Sequence, residues 1–152
     1  MAAAPNIAHQ ITSGNLSAYL TIHAQHAGLG RVLSASCDLE LPLNDVLVQP
    51  DIIVVLNANL SILKGTRIVG TPDLVIEILS PGTAGHDRRK KQDAYARAGV
   101  HEHWLADPYS QTIELLRLEA DAYQSVGAFS GASTLPSRVV PELPVRIEQF
   151  FA

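Results

Sequence analysis

At 152 residues, with 47% hydrophobic and 17% charged side chains, the chain has the length and balance of one globular domain and is too short for two good cores. Its formal net charge of −4, from 11 basic and 15 acidic residues, excludes a protein that coats nucleic acid without regard to sequence. Eight aromatic side chains, one Trp, four Tyr and three Phe, are too few for a base-stacking platform. The single cysteine, Cys37, excludes an internal disulfide framework and a multi-cysteine zinc site. No apolar run approaches the roughly 18 residues that suggest a membrane span. The opening MAAAPNIAHQ lacks the basic region and apolar core of a signal peptide, so a cytoplasmic location is the default.

In chain order, "IAHQITSGNLSAYLTIHAQHAGLG" sets Ile7, Ile11, Ala18 and Ile22 near helical spacing and ends in Gly28 and Gly30, good stop residues. "RVLSASCDLELPLNDVLVQPDIIVVL" predicts a hairpin of two strands with its turn at Pro42 to Asp45. "NANLSILKGTRIVG" reads as a connection with a short helical turn. "TPDLVIEILS" is a third strand, apolar enough to be covered on both faces. After a loop from Pro81 to Gly85, a second helix is expected from near Asp87 to Ala98, closed by Gly99. "HEHWLADP" then resumes as a strand, parallel to the third after the helical crossover. "QTIELLRL" and "AYQSVGAF" predict a final hairpin turning at Glu119 to Asp121. The proline-rich "LPSRVVPELPVRIEQFFA" is expected to pack along an edge, with an apolar character suited to a subunit interface in a homodimer. The outcome is an α/β class with a mixed sheet, in the order α-β-β-β-α-β followed by a β-hairpin.

Two local rules are broken within "GTPDLVIEILSPGTAGHDRRKKQDAYARAGV". An acid, Glu77, sits inside an apolar strand, and Asp73 stands at that strand's mouth. The next helix carries Arg88, Arg89, Lys90 and Lys91 in its expected first turn, where the helix dipole disfavours cations. Rules are commonly broken where a site requires it. Residues two apart share a strand face, so Asp73, Val75, Glu77 and Leu79 project together. A buried carboxylate demands a cation or a hydrogen-bonding partner. Asp51, in "VQPDIIVV", comes near Glu77 if the preceding strand pairs antiparallel in a suitable register. A hard divalent ion is the natural way to hold two such carboxylates together. Asp87, Lys91 and Tyr95 form one helical stripe, and a lysine stem running over apolar surface could bring its ammonium to the carboxylates. Each residue also has a plainer reading. Asp51 and Asp73 fit strand-opening residues that satisfy backbone N–H groups, Glu77 an acid paired with arginine, Asp87 a helix cap and Tyr95 a packing residue. Arg88, Arg89 and Lys90 fit a solvated face with phosphate affinity. His101 and His103 share a strand face but lack the partners of a zinc site. Cys37 reads as a small core residue and Trp104 as a core anchor.

Together "VQPDIIVV", "PDLVIEILSP", "DRRKKQDAYARAGV" and "HWLADP" resemble the Uma family of restriction-endonuclease-like proteins, with the PD-(D/E)xK nuclease fold. The resemblance spans roughly residues 9 to 118. It implies a mixed sheet flanked by helices and a Mg2+- or Mn2+-dependent phosphodiesterase acting on nucleic acid, with DNA the expected substrate. By the match Asp51 and Glu77 are the metal carboxylates and Lys91 is the catalytic lysine, relocated to the helix from the position that Leu79 occupies here. Asp73 matches a recurrent aspartate, and His9 a histidine near the first helix that lines the site or caps the fold. Family members usually carry a further N-terminal segment with an acidic motif, which this chain is expected to lack. Two functions follow: a metal-dependent endonuclease, or a catalytically degenerate nuclease-like domain that binds nucleic acid or protein.

Overall fold

A computed structural model describes residues 6–42, 46–81 and 85–152, the side chains of 85–87 excepted. Its elements are α1 (Ile7–Ala27), β1 (Gly30–Ser34), β2 (Leu39–Leu41), β3 (Val46–Val48), β4 (Ile52–Leu56), a 3-10 helix (Asn57–Ile62), β5 (Ile68–Val69), β6 (Leu74–Ile78), α2 (Gly85–Ala98), β7 (Glu102–Asp107), β8 (Thr112–Glu119), β9 (Ala122–Ser130) and α3 (Ile147–Phe151). The main sheet runs in the order β1-β4-β6-β7-β8-β9. Only β6 and β7 are parallel there, joined through α2 as a parallel pair requires a crossover. Main-sheet strands and the first two helices thus follow α1-β1-β4-β6-α2-β7 and then the β8–β9 hairpin, the expected α-β-β-β-α-β core with its addition.

The segment expected to form one hairpin instead contains four strands. β1 pairs with β4 across the intervening chain, and β2, β3 and β5 build a separate three-stranded sheet. Short apolar runs do not show which partner a strand takes, and that choice is made by burial on the two faces of the main sheet. Residues 43–45 of the expected turn lie outside the described residues.

Those faces are covered differently. Ile52, Val54, Leu74, Ile76 and Trp104 pack toward Leu16 and Leu20 of α1 and toward the C-terminal segment. Ile53, Val55 and Val75 pack toward Leu39, Leu41 and Ile68 of the small sheet and Tyr95 of α2. The central strands are therefore apolar on both sides, as their sequences require. On α1 the buried line is Thr12, Leu16, Leu20 and Ala24. Ile7, Ile11 and Ile22, which suggested the helix, are exposed instead. Asn6 caps its start by accepting from His9 N at 2.8 Å. Gly28 closes it at φ 65°, a conformation that costs a residue with a Cβ.

The C-terminal segment corrects the expectation of an edge. Val139, Val140, Leu143, Val145, Ile147 and Phe150 are buried in the core on the α1 side, so this apolar surface is spent within the chain rather than offered to a subunit interface. Asn15 donates to the carbonyls of Phe150 and Ala152, and Phe150 meets Tyr19 edge to face at 5.8 Å. Glu102 holds the approach to this segment. Its carboxylate accepts from Trp104 Nε1, Ser137 Oγ and the backbone N–H groups of Arg138 and Val139, with the Arg117 guanidinium 3.7 Å away.

Candidate active site

The β4–β6 ladder pairs Ile52 with Ile76 and Ile53 with Val75. One step further this antiparallel register sets Asp51 opposite Glu77. Pro50 precedes Asp51 and the chain turns into β4 there. The Asp51 carbonyl accepts from Ala35 N at 2.9 Å, which fixes the backbone. Asp51 Oδ2 accepts from Ile78 N at 2.7 Å, while Oδ1 lies 3.3 Å from His9 Nε2, carried in by the first turn of α1. Both side chains remain partly open, 18% for Asp51 and 14% for His9.

Glu77 is the fourth residue of β6, at the solvent-facing end of the strand and half-buried. Its Oε1 accepts from the Tyr95 hydroxyl at 2.6 Å. Tyr95 is fully buried, and its pKa is pushed far above the phenol range, first by burial and then by the negative charges of Glu77 and Asp51. It is a neutral donor that orients Glu77. Asp51, Glu77 and Tyr95 thus share one field, and His9 touches it from the other layer.

Lys91 stands one turn before Tyr95 on α2 and is half-buried. It makes no ion pair among the described residues, but its charge reaches the ring of His103. His103 is fully buried on β7, beside Val75. Its Nδ1 is 3.0 Å from the Val75 carbonyl oxygen, which can only accept, so the proton sits on Nδ1. The ring lies between Tyr95 and Tyr123 at 5.1 and 5.9 Å. Burial lowers its pKa to about 4, the Val75 bond opposes this, and Lys91 adds to the lowering. Sequence reasoning missed this support beneath Tyr95. Its signal was a polar ring next to Trp104 in a strand expected to be central, where a side chain is buried on either face. His101, by contrast, is exposed, so the pair does not converge.

Asp73 does not join the site. It is 5% exposed, with Oδ2 accepting from Leu56 N at 2.8 Å and Oδ1 from Asn59 Nδ2 at 3.0 Å. Four residues of strand put it about 13 Å from Glu77. The helix also corrects the expected placement of the basic run. α2 begins at Gly85, so Arg88 closes its first turn, Arg89 to Lys91 follow it, and the conflict with the dipole is milder. Arg88, Arg89 and Lys90 are exposed, and the Asp87 side chain lies outside the description. Cys37 is half-buried, its thiol pKa raised by burial and by Asp38, which keeps it unreactive.

Among the described residues no three His, Cys, Asp or Glu side chains converge as a ready metal cage. Two adjacent, partly solvated carboxylates are nevertheless the donor set that suits a small hard cation, which commonly keeps several waters and takes one or two carboxylates with substrate phosphate.

Compared with protein families, residues 1–148 match the model described as "Uma2: Putative restriction endonuclease". The chain belongs to this family. Among solved structures it is similar to a nuclease-type protein of the DUF820 group from Anabaena variabilis, with a TM-score of 0.80 and 21% identity. The match covers 98% of this chain and 83% of that one. At that identity the likeness establishes a shared fold, so the Uma2 family assignment and the nuclease-like architecture agree. Comparison with the curated proteins returns no match. Among the described residues, no helix is long and apolar enough to cross a membrane.

Proposed function

We propose that this Uma2 family chain is a Mg2+- or Mn2+-dependent endonuclease that hydrolyses nucleic-acid phosphodiester bonds, with DNA as the expected substrate. The observation that carries the reading is the register that opposes Asp51 to Glu77, with both acids held by donors and still reachable from solvent. Asp51 and Glu77 would hold the ion. A divalent ion so bound supplies Lewis acidity and a water of lowered pKa.

The chain's own groups have distinct tasks. Ile78 N fixes one oxygen of Asp51, and His9 meets the other, which limits the carboxylate's rotation. Tyr95 fixes one oxygen of Glu77 as a neutral donor. Lys91 brings positive charge along the same helical face to offset charge gathering on the phosphate oxygens. Arg88, Arg89 and Lys90 attract the phosphate backbone without reading bases.

The test is cleavage of labelled single- and double-stranded DNA and RNA in Mg2+ or Mn2+. Glu77→Gln and Lys91→Met should each lower the rate by about 100-fold or more while the fold is retained. Chelation should abolish it. A rate that survives Glu77→Gln would contradict the proposal. Nucleic-acid binding without cleavage on every substrate would favour the degenerate binding domain.

A further inference from the structure

β3 and α2 face each other across a groove of about 570 Å3. One wall is apolar: Val46, Leu47 and Val48, with Leu47 56% exposed. The other is cationic, formed by Lys90, Lys91 and Arg97 of α2, with Ala94 between them. These three cations make no ion pair among the described residues. Asp93 is the one acid on the lining, so three positive charges stand against one negative in a chain whose net charge is −4. Lys90 and Arg97 are seven residues apart, about 10 Å along the helix.

The groove also has a direction. Lys91 lines it and stands one turn from Tyr95, whose hydroxyl holds Glu77. With about 3.6 residues per turn, Lys91 lies toward the Tyr95 side of α2 and Arg97 on a nearly opposite side, so the cationic wall turns around the helix from Lys91 away from Tyr95 and the Glu77 it holds.

We propose that this groove is the track for a single nucleic-acid strand beside the cleavage site, with Arg97 as its far phosphate contact and Leu47 as its apolar rail. This rests on the nuclease reading and adds the strand state of the substrate and its path. A single strand presents phosphates on one side and sugars and bases on the other, matching the two walls. A duplex turns its bases inward and offers such a groove only phosphates. An extended acidic peptide has charge for one wall but no regular apolar partner for the other. With no aromatic on the lining, the grip is electrostatic, and sugar and base edges pack on Val46 to Val48 without sequence preference.

The test is fluorescence anisotropy in EDTA, where cleavage cannot intervene, using a labelled 12-nucleotide DNA strand, its duplex and a poly-glutamate peptide of equal charge. The single strand is expected to bind tightest. Arg97→Gln should weaken it several-fold and reduce the slope of log affinity against log salt by about 0.7, the amount for one lost phosphate contact on a single strand. Leu47→Ser should weaken the strand by several-fold and leave the duplex unchanged. Both positions are exposed, and thermal melts confirm that the variants fold. The proposal is overturned if both variants leave strand affinity and slope unaltered, if the duplex binds as tightly with the same dependence on Arg97, or if the peptide competes equally. Because no cleavage is read, the groove can fail while Glu77→Gln still abolishes cleavage. It can also hold in a chain that never cleaves.

Discussion

Tyr95 is a phenol whose proton is locked in place, and its hydroxyl serves Glu77 as a fixed donor rather than as an acid. Beneath it, His103 is held neutral, so the packing around the site carries a pH dependence. The folded pKa is about 4 against 6.5 for a free imidazole. Between those values the unfolded chain binds a proton that the folded chain refuses. Stability from this group is complete above pH 6.5 and is lost as pH falls toward 4, by on the order of 3 kcal/mol. Urea titrations at pH 7 and 4.5 check this. His103→Gln, which retains an N–H for the Val75 carbonyl, should remove that part of the acid loss, and an unchanged pH profile would contradict it. Residue by residue, the meeting of Asp51 and Glu77 was legible only on condition of a suitable antiparallel register, because parity fixes a strand face and leaves the partner residue open until the ladder is known. His103 was not, since its role depends on three rings brought together from α2, β7 and β9.

At the scale of elements, "QPD" and "TPD" look alike in sequence, and each opens a main-sheet strand. β4 and β6 are antiparallel, so their opening residues stand at opposite ends of the ladder. Asp51 lands beside Glu77, whereas Asp73 lands at the far end, tying Leu56 N and Asn59 to the sheet. Asp73→Ala should therefore cost about 2 kcal/mol, because the part-buried Leu56 N–H and the Asn59 amide both lose their acceptor, and lower Tm by on the order of 5 °C. Metal affinity and cleavage rate at 20 °C should stay at the parent level. A loss of cleavage in a folded Asp73→Ala protein would return Asp73 to the site. The helices show the same limit of local reading. α1 was recognised from isoleucines that prove exposed, because helical spacing reports a face without saying which face is covered. The end of α2 was legible because Gly99, at φ 87°, is a stop that few other residues accept.

Across the whole molecule, the expected order of core elements held because hydrophobic strands around one crossover helix leave few alternatives. The small sheet and the course of the C-terminal segment were not legible. Both depend on which of several short apolar runs covers which face, a choice settled only when the main sheet exists. Glu102 makes the second choice specific, since one carboxylate accepts from the Trp104 ring and from three groups of residues 137–139. Glu102→Ala should cost 3–5 kcal/mol, roughly the penalty for breaking a buried pair, because Arg117 then lacks its counter-charge. It should also expose residues 131–152 to limited proteolysis ahead of the sheet. A variant with parent-like melting and proteolysis would show that the apolar contacts alone place the segment.

Whether Asp51 and Glu77 together hold a divalent ion is decided by calorimetric titration of Mn2+ and Mg2+ into the purified chain and its Asp51→Asn and Glu77→Gln variants. This readout needs no knowledge of the substrate. Binding to the parent chain that disappears in both variants and persists in Asp73→Ala is the expected result. Binding that survives the loss of either carboxylate, or a parent chain that binds neither ion, would contradict it.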